Sequence, residues 1–332
     1  MRVVILCPYR LRTGGPEACH QLSDALITQG MAAEMWYLDT QDINYLLSMM
    51  RRGIHITDID LDLEERKNDI PEYACYQTRP FLRAKAGERL IYVLPEVYVS
   101  LLPIFTGLPS FVWWLSVDNA FQALSSININ FLRAPWVKHV TQSFYAAEFV
   151  KTLGLSSEML TDYTVVPSFE TDSISDRPLR VAVNAGQKVI VDLTMLELFL
   201  RNIFPDLEFV QIRGMKRHEV FQTFSTSRLF IDLGSFPGRD RMAREAALLG
   251  ANVIVARAGS AARHDDFPIP DCYRIAPHDI EKVAILGAHM LQFPELHSPQ
   301  FESFRQKCRE ERVKFFGEVL QIFGPMGVLS LR

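Results

Sequence analysis

Cysteine is scarce and scattered. The five in 332 residues are Cys7, Cys19, Cys75, Cys272 and Cys308, an odd number with no C-x-x-C and no Cys/His cluster at zinc-ligand spacing. This excludes a disulfide framework or structural zinc module and predicts reduced cytosolic thiols. A surplus of one charge is also missing. With 35 basic and 39 acidic residues the net charge is −4, so no global field attracts nucleic acid, and none is expected as a partner. No tract is of low complexity, and 48% hydrophobic against 22% charged residues excludes a disordered chain. Hydrophobic runs are short. Val3 to Leu6 ends at Pro8-Tyr9-Arg10 and reads as a buried first strand rather than an export signal. The stretch 90–117 is interrupted by Pro95, Glu96, Pro103, Gly107 and Pro109, and reads as strand, helix and strand rather than a membrane span. The G-x-G-x-x-G dinucleotide fingerprint is absent. The Asp-x-Asp pairs at Asp58 to Asp62 fall in an irregular stretch, so no metal site is expected.

What is present is regular alternation. Arg2 to Cys7 reads as a strand, Thr13-Gly14-Gly15-Pro16 as a loop leading into a helix with Ala18, Leu22, Ala25 and Leu26 on one face, and Ala33 to Leu38 as the next strand. Residues 41–89 have poor periodicity. Strands are predicted at 90–94, 110–116, 136–142 and 163–167, with a helix ending at Leu153. The polar segment 168–178 reads as a linker. Alternation then restarts, with strands at 179–184, 207–213, 228–233 and 252–256 and helices at 193–204, 218–224 and 241–249. This pattern predicts an α/β protein of two Rossmann-like, doubly wound parallel-sheet domains facing a cleft. The expected boundaries are 1–167 for the first domain, 168–178 for the linker, 179–297 for the second domain and 298–332 for a terminal helix crossing back. That helix carries Phe301, Phe304, Phe315 and Phe316 opposite its Arg and Lys residues. It reads as an amphipathic helix laid across the domains or, alternatively, as a peripheral membrane contact.

In open α/β sheets ligands bind beyond the carboxyl ends of the strands. Three loops there carry chemistry. Gly14 and Gly15 let backbone approach a ligand closely, or form a tight turn. Asp118 beside Asn119 can act as a base or orient a hydroxyl, or cap a helix. In the third loop Gly238 and Arg239 precede a helix opening at Arg241, with Arg244 and Glu245 in its first turns. Helix-start amides and guanidiniums suit a diphosphate, and a carboxylate can accept both hydroxyls of a ribose; a salt-bridged surface helix is the alternative.

Gly238, Glu245-Ala246, Gly250 and the apolar strand 252–255 resemble the donor-nucleotide site of GT-B glycosyltransferases, especially the retaining enzymes of glycosyltransferase family 4. The resemblance implies transfer of a sugar from a nucleotide-sugar substrate to a glycan or glycoconjugate acceptor, with no separate cofactor. It places Glu245 on the donor ribose, Gly238, Arg239 and Arg241 near the diphosphate, and Lys188 at a phosphate-binding lysine. Lys216-Arg217 falls near the base or phosphates, Gly14-Gly15 on the acceptor side, and Asp118 near the reacting sugar. The family's paired glutamates are separated by seven residues, whereas Pro237 stands eight positions before Glu245. The expected reaction is metal-independent and cytoplasmic, at the inner face of the membrane if the terminal helix touches it, in surface polysaccharide synthesis. Two alternatives stay open: a nucleotide-sugar epimerase using Asp118, His218 or His264, and a non-catalytic glycan- or partner-binding protein. The loop Arg257 to Asp266 reads as solvated, or as a further sugar contact.

Overall fold

The structure, a computed structural model, describes residues 2–324 apart from 68, 89, 126, 170, 171, 187 and 190. Glu170 and Thr171 of the expected linker, and the end of the expected terminal segment, lie outside the described residues. The chain divides into two compact units, Met1–Tyr163 with Val313–Arg332, and Thr164–Arg312.

In the first unit β1 (Arg2–Pro8) leads through α1 (Gly14–Thr28) to β2 (Ala32–Leu38). Strand side chains alternate between faces, so Val4 and Leu6 enter one core while Val3, Ile5 and Cys7 enter the other. Burial on both faces explains the unbroken apolar run. Next comes α2 (Thr40–Arg51), in the stretch whose apolar periodicity is poor. Its start is set by local polar chemistry instead. Asp39 Oδ1 accepts the N–H groups of Gln41 and Asp42 at 2.8 and 3.0 Å, and Asp42 Oδ2 accepts that of Asp39 at 2.8 Å, a reciprocal cap.

The short strands β3 (Leu61–Asp62) and β4 (Arg83–Ala84) pair antiparallel. Then come β5 (Ile91–Pro95), a 3-10 stretch over Glu96–Phe105, β6 (Ser110–Trp114), α3 (Val117–Leu124), α4 (Ile129–Leu132), β7 (Val137–Thr141), α5 (Phe144–Thr152) and β8 (Glu158–Met159). The sheet order is β2-β1-β5-β6-β7-β8, with every pairing parallel. Its last strand is at 158–159. Residues 163–167 form no strand, because the N–H groups of Tyr163 and Thr164 go to the Gln21 and Glu311 side chains rather than to a ladder.

The second unit contains β9 (Arg180–Asn184), α6 (Leu193–Ile203), β10 (Glu208–Ile212), α7 (Arg217–Thr226), β11 (Leu229–Asp232), α8 (Arg241–Leu248), β12 (Asn252–Ala256), β13 (Arg274–Ile275), α9 (Ile280–Gln292), α10 (Pro294–His297) and the start of α11 (Glu302–Phe323). Its order, β10-β9-β11-β12-β13, is again wholly parallel. In each sheet the chain first builds to one side and then to the other, between β1 and β5 and between β9 and β11. Loops at such a switch point diverge and leave a crevice at the carboxyl ends.

In α11, Phe304 and Cys308 belong to the second unit's core, with Phe301 just before them, whereas Phe315, Val319, Ile322 and Phe323 belong to the first unit's. The phenylalanines that suggested membrane contact are thus largely spent on core packing, and Phe316 packs beside them, partly buried. Among the described residues no helix is long and apolar enough to cross a membrane.

The turn closing α8 rests on Gly250, at φ +86°, where an added Cβ would stand 2.6 Å from Arg177 Nη2. That guanidinium is buried and donates to the carbonyls of Ser227 and Leu249 at 2.8 and 3.0 Å. Gly250→Ala combines left-handed strain with displacement of this anchor and is expected to cost about 2–3 kcal/mol. A lower urea midpoint checks this, and an unchanged one contradicts it.

Candidate functional site

At the switch point of the second sheet, Asn184 ends β9 and Asp232 ends β11. Asn184 Nδ2 donates to Asp232 Oδ1 at 2.9 Å, and Gly234 N–H donates to the same oxygen at 3.0 Å. Asn184 Oδ1 in turn accepts the N–H of Gly186 at 2.9 Å. One pair of side chains therefore shapes both loops that leave this edge. Burial, reinforced by the nearby Asp240 carboxylate, pushes the Asp232 carboxyl up to about 6, against the opposing bonds from Asn184 and Gly234 and the charge of Lys188. Lys188, the expected phosphate lysine, stands in the first of these loops with Nζ 2.6 Å from Asp240 Oδ1 in the second. A phosphate reaching Lys188 has to share it with Asp240.

The glycine-bearing loop 234–240 is braced from below. An added Cβ at Gly259, φ +48°, would lie 1.9 Å from the Phe236 carbonyl oxygen, so only glycine lets the two backbones meet. Ser260 N–H donates to that carbonyl at 2.9 Å, and its hydroxyl donates to the Gly238 carbonyl at 2.6 Å. Ser260 and Ala261 are buried. This part of the segment 257–266 is thus a support for the loop rather than a solvated excursion.

Beyond Gly238 the guanidiniums turn inward. Arg239 Nη2 donates to Glu311 Oε1 at 2.6 Å, and the wholly buried Arg244 donates from Nη1 to Glu311 Oε2 at 2.8 Å and from Nη2 to the Arg239 carbonyl at 2.7 Å. The Arg239 side chain, expected at a diphosphate, is thereby anchored to α11. Arg241 opens α8, half-buried. Glu245 lies one turn further along, its side chain 8% exposed and 3.5 Å from Arg217 Nη2 at the start of α7. The structure thus gathers Lys188, Gly238, Arg239, Arg241 and Glu245 around one loop and helix start. Of the pair at 216–217, Arg217 reaches Glu245, whereas Lys216 is exposed, its N–H donating to Glu219 at 2.7 Å.

In the first unit the corresponding edge holds Gly14 and Gly15 at the start of α1, with a Cβ at Gly15 reaching Leu115 Cδ1 at 3.8 Å. Asp118 is exposed in the first turn of α3. Sequence reasoning passed over Glu96, directly after β5. Its buried carboxylate accepts the Leu115 N–H at 2.9 Å, and burial lifts its pKa to about 7 against further bonds from Ser116 and Asn119. It steadies the turn from which Asp118 projects. The available signal was a lone acid in an otherwise apolar stretch. His218 and His264, weighed as epimerase groups, belong to the second unit, whereas Asp118 belongs to the first. No group of three or more His, Cys, Asp or Glu side chains among the described residues is placed to hold a metal ion.

No protein-family model and no curated protein matches the sequence. Solved structures do match over nearly the whole chain. Sucrose-phosphate synthase of Thermosynechococcus elongatus is 12% identical, covers 98% of this chain and 99% of its own, and gives a TM-score of 0.63. A TarM variant of S. aureus, solved with fondaparinux, α-GlcNAc-glycerol and UDP, is 9% identical over 97% and 100%, with a TM-score of 0.66. A glycosyltransferase of Rickettsia africae ESF-5 is 9% identical over 100% and 98%, with a TM-score of 0.55. The shared property is the fold: two parallel-sheet units of the GT-B kind.

Asp232 generates a test of the switch-point chemistry. Because its folded pKa is raised, the folded state binds more protons than the unfolded chain between about pH 4 and 6. Its contribution is fully present below that window and is lost as pH rises through it, by up to about 3 kcal/mol. Asp232→Asn keeps the acceptor oxygen for Asn184 and Gly234 but not the titration. Urea denaturation at several pH values should therefore show a flatter decline for the variant over this window. Identical pH slopes would remove Asp232 from the account.

Proposed function

We propose that this chain is a glycosyltransferase that takes a sugar from a nucleotide-sugar donor held on the second unit and delivers it to a glycan or glycoconjugate acceptor served by the first. The supporting observation is the pairing of a nearly buried carboxylate, Glu245, with a braced glycine loop and a helix start at the switch point of the second sheet. In this reading Glu245 accepts the two ribose hydroxyls. Lys188, Arg241 and the backbone around Gly238 meet the diphosphate, and Arg217 flanks the ribose opposite Glu245.

The departing nucleoside diphosphate carries charge on its oxygens. Cationic side chains and the first N–H groups of α8 stabilise that charge without a metal. Lys188 meets the phosphates while sharing its charge with Asp240. Gly14 and Gly15 border the acceptor, and Asp118 faces the reacting sugar, on a turn held by Glu96. We place the reaction in the cytoplasm, in the building of a surface polysaccharide or glycoconjugate. The TarM variant was solved with UDP, which makes UDP the first nucleotide to try. Pro237, at the position of the family's first glutamate, favours a second reading: a protein that keeps the nucleotide fold while binding glycan without catalysis.

A thermal-shift panel of UDP, GDP, ADP, CMP, dTDP, their common sugars and free glycans, with and without EDTA, separates these readings. A ligand at 100 times its Kd adds about 2.7 kcal/mol. Stabilisation by one nucleoside diphosphate regardless of EDTA is expected. Glycan binding with no nucleotide response would instead favour the second reading. With the nucleotide identified, Glu245→Ala should weaken it by about 1.5–3 kcal/mol, measured by calorimetry, and equal affinity in a folded variant would sink the ribose role.

A further inference from the structure

The terminal helix contributes a carboxylate to the centre of the nucleotide loop. Glu311, on α11 and 4% exposed, is reached by three donors: Arg239 Nη2 at 2.6 Å, Arg244 Nη1 at 2.8 Å and the Thr164 N–H at 3.2 Å. Arg244 is the link. While Nη1 holds Glu311, its Nη2 donates to the Arg239 carbonyl at 2.7 Å and its Nε to the Asp240 carbonyl at 3.5 Å. A continuous relay thus runs from α11 through a fully buried guanidinium to the last two of the three peptide groups between Gly238 and the first residue of α8. In a trans peptide the carbonyl and the following N–H point in opposite directions. At the N-cap the Asp240 carbonyl runs along α8 past the Arg244 side chain, so the Arg241 N–H, the first of α8, points the other way, out of the helix start. The planar fork of arginine holds such a geometry in a way a lysine would not.

We propose that Glu311 is a positioning residue for nucleoside diphosphate binding: through Arg239 and Arg244 it sets the backbone of residues 238–241 in the conformation that receives the phosphates. This rests on the reading of that loop as the donor site. It makes the terminal helix a working part of the nucleotide site, and it gives Arg239 a different role from the direct phosphate contact expected from sequence.

The test compares wild type with Glu311→Gln, Glu311→Asp, Arg239→Gln and the Glu311→Gln/Arg239→Gln double variant. UDP, GDP and ADP are titrated beside uridine, guanosine and adenosine. Glu311→Gln should weaken the bound diphosphate at least tenfold while changing its nucleoside less than twofold, with partial recovery in Glu311→Asp. A general loss of packing would weaken both ligands together. Arg239→Gln, at the rim, should reproduce the selective loss, and the double variant should add little to it, since both break the same relay. Equal loss of nucleoside and diphosphate, unchanged or tighter diphosphate binding, or additive losses in the double variant would overturn the proposal. Should Glu311→Gln not fold, the Arg239→Gln and Glu311→Asp ratios decide it by the same criterion. If wild type binds no nucleotide, the donor-site reading and this inference fall together; if wild type binds and the variants bind equally, only this inference falls.

Discussion

The hydrogen bond from Asn184 to Asp232 sits where two neighbouring parallel strands send their chains to opposite faces of the sheet. Two loops separate at that point, and each would leave polar backbone groups at a half-buried edge. The amide and carboxyl side chains take up the N–H groups of Gly186 and Gly234 and hold both loop roots against each other. The rest of the candidate site is built outward from this pair. Lys188 and Asp240 close the gap between the loops, Gly259 and Ser260 support the floor, and α8 starts where the second loop ends. A buried carboxyl with a raised pKa beside the Lys188–Asp240 ion pair is costly. Its retention is understandable as the acceptor that keeps two glycine-containing turns in register.

The arginines illustrate how burial sorts residues of one type into different roles. Arg177 ties the turn after α8, Arg244 ties α11 to loop backbone, and Arg217 stands against Glu245. A carboxylate or carbonyl answers each of them, because a guanidinium leaving water needs partners for several N–H groups at once. Arg244, without exposure, is the extreme case. The loop is consequently a preorganised support rather than a flexible glycine turn.

Much of this was legible in the sequence. The βαβ alternation, the doubly wound class and most strands followed from apolar runs bounded by glycine and proline, since parallel strands buried on both faces leave that signature. Gly238, Arg239 and Glu245 singled out the third loop as the one to look at. Among the elements not foreseen, α2 depends on the Asp39–Asp42 cap rather than on apolar periodicity, and β13 is two residues long. The strand expected at 163–167 failed because side chains of Gln21 and Glu311, distant in sequence, captured its N–H groups.

The sequence by itself determined the architecture and the residue types at the strand ends, because these depend on patterns within about ten neighbouring positions. Only the tertiary structure decided what those residues touch. Whether Arg239 meets a ligand or Glu311, whether Lys188 is paired, and whether the 257–266 segment is solvated or a support all depend on groups brought together across 22 to 72 positions. Hydrogen bonds and ion pairs act over a few ångströms, and a linear pattern does not record which distant side chain will occupy that distance.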